Sequence, residues 1–105
     1  MHIGIDLGGT KTECIIIDQN GKEIERIRKD TPKNYNGTLK TVCDLVDYLE
    51  NKYKNKCSIG IGTPGSLSKE TNLIKGANSI WLNEKPLKKD IEEKLNRKIL
   101  HCIMF

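Results

Sequence analysis

Aromatic side chains are scarce in this chain: one Trp, one Phe and three Tyr make up 5% of its 105 residues. Arginine is scarcer, with only Arg26, Arg28 and Arg97 against fifteen lysines. Base stacking and bidentate base reading draw on aromatics and arginine. The net charge of +4 therefore reads as a solvated lysine surface, and nucleic acid is not an expected partner. Long apolar runs are missing too. Nothing approaches the roughly 18 residues that a membrane-spanning helix needs. Asp6, Lys11, Glu13 and Asp18 also fall where a signal peptide would carry its apolar core. No membrane association and a cytoplasmic location are the expectations. No Cys-x-x-Cys pair occurs among Cys14, Cys43, Cys57 and Cys102. Three of them sit in apolar periodic runs, where a thiol acts as a small buried hydrophobe, so no structural zinc is expected. Two familiar phosphate loops are also absent: the Walker pattern and the Gly-x-Gly-x-x-Gly turn that opens a helix.

What is present is a chain of 36% hydrophobic and 30% charged residues, the composition of one soluble globular domain. Residues 2–8, 12–18 and 22–29 read as three antiparallel strands. They are joined by Gly8-Gly9 and by Gln19-Asn20-Gly21, the latter a hairpin signal. The third strand alternates imperfectly, as an edge strand does. From Thr38 to Lys54 the period changes. Leu39, Val42, Val46, Leu49 and Tyr53 recur at helical spacing, widened by Cys43 and Leu45, which predicts an amphipathic helix capped by Thr38 or Asn36. Tyr48 and Tyr53 read as aromatics at the core edge. Residues 57–63 predict a strand, and residues 66–85 an irregular stretch with a small hairpin around Lys69-Glu70-Thr71-Asn72. A helix from Pro86 to Leu95 buries Leu87, Ile91 and Leu95, and a final strand runs over 98–105. The fold class is α/β, a mixed sheet with helical cover.

Two glycine-rich constellations carry chemistry. In Asp6-Leu7-Gly8-Gly9-Thr10-Lys11 a carboxylate at a strand end precedes two glycines, a hydroxyl and an ammonium. Glycines admit phosphate oxygens close to backbone N–H groups. Asp6 offers Mg²⁺ an oxygen ligand, and Thr10 and Lys11 add donors. An ordinary hairpin turn is the competing reading. In Gly60-Ile61-Gly62-Thr63-Pro64-Gly65 three glycines and a proline again close a strand. Ligands of open α/β sheets sit beyond the carboxyl ends of strands. If the first and fourth strands are parallel neighbours, both motifs flank one cleft. Asn78 then offers the donor and acceptor that sugar hydroxyls need, or serves only as a turn residue.

Taken together, residues 1 to about 99 resemble the amino-terminal lobe of the bacterial ROK family, named for repressors, open reading frames and sugar kinases. The resemblance rests on the run Ile3 to Glu13, on Thr31-Pro32, on Gly60 to Ser66 and on Asn78-Ser79-Ile80-Trp81-Leu82-Asn83. Pro86-Leu87, Asp90 and Leu95-Asn96-Arg97 continue it in register. Within the family the sequence looks like the fructokinase, mannokinase-type members. The resemblance implies a ribonuclease-H-like, actin-like ATPase lobe spanning residues 1–105. It implies ATP and Mg²⁺ facing Asp6, Gly8, Gly9, Thr10 and Lys11, and a hexose of fructose or mannose type touching Gly65 and Asn78. Family members carry Asn-Asp-Ala-Asn after the last strand of this lobe, the aspartate acting as general base. Here Ile103 and Met104 fall at the Asn-Asp positions, and an apolar side chain accepts no proton. A truncated or frameshifted kinase, inactive alone, is the expectation. A sugar- or phosphate-binding regulatory module derived from the lobe is the alternative. Its exposed faces predict a homo-oligomer.

Overall fold

The computed structural model describes residues 1–63, 66–67, 74–75 and 80–103. Gly65, Asn78, Met104 and the hairpin tip at residues 69–72, all singled out from the sequence, lie outside the described residues.

Strands β1 (His2–Leu7) and β2 (Lys11–Ile17) are antiparallel, with Ile5 opposite Cys14 and Asp6 opposite Glu13. Both alternate cleanly. Ile3, Ile5 and Leu7 on β1, and Thr12, Cys14 and Ile16 on β2, point to one face and are buried. The turn to β3 (Glu23–Asp30) closes on Asp18, whose carboxylate accepts from the amides of Asn20 (2.8 Å) and Lys22 (3.0 Å). Gly21 takes φ of +83° there, a conformation that glycine adopts without steric cost. β3 pairs antiparallel with β2 and lies at the edge of the sheet, in keeping with its weak alternation. It is tied to the first helix through Glu25, which accepts from Lys52 Nζ (2.7 Å) and Tyr53 Oη (2.5 Å). Those bonds account for Tyr53 at the core edge. Tyr48, by contrast, is exposed.

Helix α1 runs from Tyr35 to Tyr53, three residues earlier than its periodicity suggests. Its cap is Asn34, whose side-chain oxygen accepts from the Gly37 amide at 2.6 Å, and neither Thr38 nor Asn36. Thr38 is instead fully buried inside the first turns, donating to the backbone of Pro32 and Asn34. Leu39, Val42, Leu45, Val46 and Leu49 form the buried stripe. β4 (Ser58–Thr63) returns parallel to β1, pairing Gly4 with Gly60 and Asp6 with Gly62. The short strands β5 (Ser66–Leu67) and β6 (Ile74–Lys75) pair antiparallel, and a 3₁₀ turn covers Ile80–Leu82. Helix α2 (Leu87–Leu95) buries Leu87, Ile91 and Leu95 as expected and leads into β7 (Leu100–Ile103), parallel to β4.

β4 and β7 each start later than the sequence predicts, for the same reason. The Cys57 amide donates to Glu50 Oε2 (2.7 Å) and the Ile99 amide to Glu92 Oε2 (2.9 Å), so helix carboxylates take the first donor of each strand. Glu50 is also bidentate to Arg97 (2.5 and 2.7 Å), whose guanidinium reaches the Cys57 carbonyl at 3.0 Å. These side chains are only 11% and 19% exposed. The cluster pins the end of α1, the start of β4 and the end of α2 together.

Both helices pack on the same face of the sheet, in one core with Ile3, Ile5, Leu7, Ile59 and Ile61. Cys14, Cys43 and Cys57 are free thiols, and burial pushes the Cys14 thiol up to about 12. The side chain of Cys102 lies outside the description. The opposite face carries Gly4, Asp6, Lys11, Glu13, Ile15, Ile17, Gly60 and Gly62 with no helix over it among the described residues. No described helix is long and apolar enough to cross a membrane, and the described residues hold no cluster of metal-ligating side chains.

Candidate functional site

Because β1, β4 and β7 are parallel neighbours, their carboxyl ends meet at one edge of the sheet. The Asp6–Lys11 turn leaves that edge from β1, β4 ends there at Thr63, and Ile103 stands beside Thr63 on β7. The condition placed on the two motifs by the sequence is thereby met. Such an edge is where open α/β sheets bind ligands.

At the turn, the Gly8 amide donates to the Lys11 carbonyl at 3.0 Å. A Cβ on Gly8 would lie 2.7 Å from that same oxygen, so the turn itself demands glycine at this position. The loop after β3 braces the turn from behind. Thr31 N donates to the Thr10 carbonyl (2.8 Å) and Thr31 Oγ1 to the Gly8 carbonyl (2.8 Å). Thr12 Oγ1 completes the chain at 2.8 Å from Thr31 Oγ1. Since the Thr31 hydroxyl commits its proton to Gly8, Thr12 is the donor of that bond. Thr12 is fully buried and Thr31 is 6% exposed.

The side chains around the turn divide into committed and uncommitted groups. Glu13 accepts from Arg28 (2.9 and 2.7 Å) and from Arg26. The Arg28 guanidinium first, and Arg26 with it, holds its carboxyl below the usual range. Lys11 is paired with Asp30, its neighbour across the β2–β3 ladder, and lowers that carboxyl in turn. Both partners are exposed (53% and 82%). An exposed pair of this kind is worth about 0–1 kcal/mol, little enough for an arriving anion to displace. Asp6 is exposed, and among the described residues no hydrogen bond or ion pair engages its carboxylate. The Thr10 hydroxyl is exposed as well. A free carboxylate and a hydroxyl are the oxygen donors that Mg²⁺ accepts, and the turn's backbone supplies N–H groups for phosphate. The residues present fit a metal–polyphosphate ligand.

Around the second constellation the structure describes the residues that flank the candidates, Gly60 to Thr63 before Gly65 and Trp81 after Asn78. The Trp81 indole donates to Thr38 Oγ1 at 3.2 Å, which seats the 3₁₀ turn on the first turn of α1. Tyr35 Oη donates to Asp90 at 2.5 Å, joining α1 to α2. Burial, then Asp90, pushes that phenol up. Sequence patterning misses the threonine brace, since Thr31-Pro32 stands out there only as part of a family resemblance. The signal that could have found it is Thr12, a polar residue in the inward series Thr12, Cys14, Ile16. A buried hydroxyl must find a partner.

Residues 2–101 match the profile of the ROK family. The chain belongs to that family. It is 34% identical over 100 residues to the N-acetyl-D-glucosamine kinase of Histophilus somni (strain 129Pt), an alignment that covers 94% of this chain and 33% of that protein. Its fold superposes on the ROK hexokinase from Thermus thermophilus with a TM-score of 0.83 at 24% identity, covering 97% of this chain and 34% of that one. It is also similar to the inorganic polyphosphate/ATP-glucomannokinase from Arthrobacter sp. strain KM, with a TM-score of 0.76 at 25% identity, over 95% of this chain and 42% of that one. This ROK chain spans about a third of the length of the curated relatives it matches. The mixed sheet with helices on one face is the ROK lobe fold.

Proposed function

We propose that this chain is the amino-terminal lobe, residues 1–105, of a ROK-family ATP-dependent hexose kinase of the cytoplasm. Its part is to hold the phosphate chain and one side of the sugar. The observation that carries this reading is the convergence of the β1 and β4 carboxyl ends, which sets the start of the Asp6–Lys11 turn beside Gly62 and Thr63 at the end of β4. When bound, Mg-ATP supplies the phosphoryl group, with Mg²⁺ offsetting its charge. Asp6 and Thr10 present oxygens to the metal, Gly8 closes the turn so that the backbone of Gly9, Thr10 and Lys11 presents N–H groups to the phosphates, and the Lys11 side chain adds a cation once released from Asp30. Gly65 and Asn78 contact the acceptor sugar.

The motif series on its own favours a fructose- or mannose-type acceptor. The Histophilus somni relative is named an N-acetyl-D-glucosamine kinase, and that supports an amino sugar as the acceptor. Chemical-shift mapping on the 105-residue chain tests both parts. Mg-ATP is expected to perturb residues 6–11. N-acetyl-D-glucosamine is expected to perturb Gly65 and Asn78 more than fructose or mannose does. Shifts confined to other surfaces refute the lobe assignment, and a stronger response to fructose or mannose refutes the amino-sugar preference.

Alone, the chain does not turn over. The sequence puts Met104 where the family resemblance places its general base, and loss of such a base costs about 10²–10⁴ in rate. Sugar-dependent ADP release at ordinary turnover, in protein free of host kinases, refutes this. The chain also self-associates through the sheet face that no described helix covers, where Ile15 and Ile17 are half-buried and Leu100 is 73% exposed. Exposed apolar surface of this kind seeks a partner. Sedimentation as a single chain at high micromolar concentration overturns that expectation. The regulatory-module reading is favoured if sugar or phosphate binds and no activity appears even with the remainder of a ROK kinase supplied.

A further inference from the structure

We propose that Thr31 is a positioning residue for the phosphate site, fixing from behind the direction in which the turn's backbone donors point. The inference rests on the phosphate-facing reading of the Asp6–Lys11 turn and adds to it the residue that aims it. A trans peptide unit is planar, so its carbonyl and the N–H of the following residue point in opposite directions. No cis bond occurs in the described chain. Thr31 holds the Gly8 carbonyl with its hydroxyl and the Thr10 carbonyl with its amide, each at 2.8 Å. Pulling these two carbonyls toward Thr31 turns the N–H groups of Gly9 and Lys11 away from it. One residue thus sets two donors on the same side, the arrangement that receives an anion.

The geometry singles out Thr31 rather than the turn sequence as the source of that aim. Gly9 and its neighbours have wide backbone freedom, and the Gly8 amide to Lys11 carbonyl bond closes the turn without determining how the Gly8–Gly9 peptide plane is rotated. Thr31 itself is held by the Thr12 hydroxyl beneath it and by the start of α1, where Thr38 donates to the Pro32 carbonyl at 3.1 Å. Thr38 accepts from Trp81 in turn. The aim of the phosphate donors is therefore referred to the same hydroxyl that seats the segment after Asn78.

The test compares Thr31→Val, which removes the hydroxyl at nearly constant shape, with Thr31→Ser, which keeps it. Mg-pyrophosphate is the probe, and affinity is read on the folded chain from amide shifts of residues 6–11. Thr31→Val is expected to weaken pyrophosphate binding about fivefold, the loss of one aimed donor's worth of hydrogen bonding, and Thr31→Ser to restore it. A merely structural threonine lowers stability in both variants without separating their affinities. Affinity of folded Thr31→Val equal to that of the parent overturns the proposal. If the parent shows no pyrophosphate response, the phosphate reading itself fails, and residual dipolar couplings then decide the aim. A Gly9 N–H vector that stays unchanged in Thr31→Val overturns it and one that rotates upholds it, while the Lys11 vector keeps its direction because valine retains the amide that holds Thr10. Should Thr31→Val not fold, the parent's own vectors decide, because either one directed toward Thr31 overturns the inference.

Discussion

Gly8 and Gly60 both stand in glycine motifs, yet the structure gives them opposite sensitivities to alanine. At Gly8 the new methyl would lie 2.7 Å from the Lys11 carbonyl oxygen, a backbone atom that cannot swing aside. Relief requires the turn to open, stretching the 3.0 Å bond from the Gly8 amide to that same carbonyl. Overpacking costs about 1–3 kcal/mol, and a weakened hydrogen bond about 1 kcal/mol. We expect Gly8→Ala to destabilise by about 2 kcal/mol, taking the lower part of that range because the turn is at the surface. For a domain of this size each kcal/mol moves Tm by about 4–8 °C, so the midpoint should fall by about 8–16 °C. At Gly60 nothing lies within 4 Å of an added Cβ and φ is not positive. Gly60→Ala should therefore change stability by no more than about 0.5 kcal/mol, in the stabilising direction if the unfolded-chain entropy dominates. Thermal and urea unfolding followed by circular dichroism measures both. A Gly8→Ala midpoint equal to that of the parent, or a Gly60→Ala loss as large as that of Gly8→Ala, refutes the reasoning.

Asn34→Ala should cost about 1 kcal/mol and fray the first turn of α1, seen as faster amide exchange at Gly37, whereas Asn36→Ala should cost nothing measurable. Glu50→Gln should destabilise by about 3 kcal/mol, since it leaves Arg97 without its partner in a partly buried site. Glu50 also gives a pH signature. Burial pushes its carboxyl up, but Arg97 and the Cys57 amide outweigh that and hold it below the ordinary 4.5. Its stabilisation is complete above the unfolded value and is lost as pH falls through the lower folded value. Acid unfolding of Glu50→Gln should therefore be shallower below pH about 4.5 than that of the parent, and an unchanged slope counts against the assignment. Lys11→Ala, which breaks only an exposed pair, should stay within about 0.5 kcal/mol of the parent.

Much of the fold is legible because the residues state their faces. Ile3, Ile5 and Leu7 and the series Thr12, Cys14, Ile16 alternate as a half-covered strand must, and α1 and α2 repeat at helical spacing. The differences are local and share a cause. Pattern alone starts α1 too late because Asn36-Gly37 has loop composition. Gly37 is required there by packing, since a Cβ would meet Pro32 at 2.8 Å and the Asn34 side chain at 2.9 Å. Pattern starts the strands at 58 and 100 too early because apolar content continues through Cys57 and Ile99. Which amide enters a ladder is decided by Glu50 and Glu92, carboxylates that each reach it from a helix seven residues back in the chain. Periodicity carries no record of such competition.

The candidate site is legible in its parts and conditional in its assembly. Asp6, Gly8, Gly9, Thr10 and Lys11 declare a turn after a strand whatever the fold. That Gly60 to Thr63 lies beside them depends on β4 entering the sheet next to β1 and parallel to it, a long-range pairing that local pattern does not encode. The brace behind the turn is less visible still. Thr31 has no periodic partner, follows an exposed edge strand, and acts through its backbone amide as much as through its hydroxyl. What the sequence does contain is an imbalance, the buried Thr12 hydroxyl on an apolar face, and a burial that costs free energy when unmet implies a partner somewhere in the chain. The structure supplies that partner from the loop after β3, and the same hydroxyl holds the Gly8 carbonyl of the glycine turn.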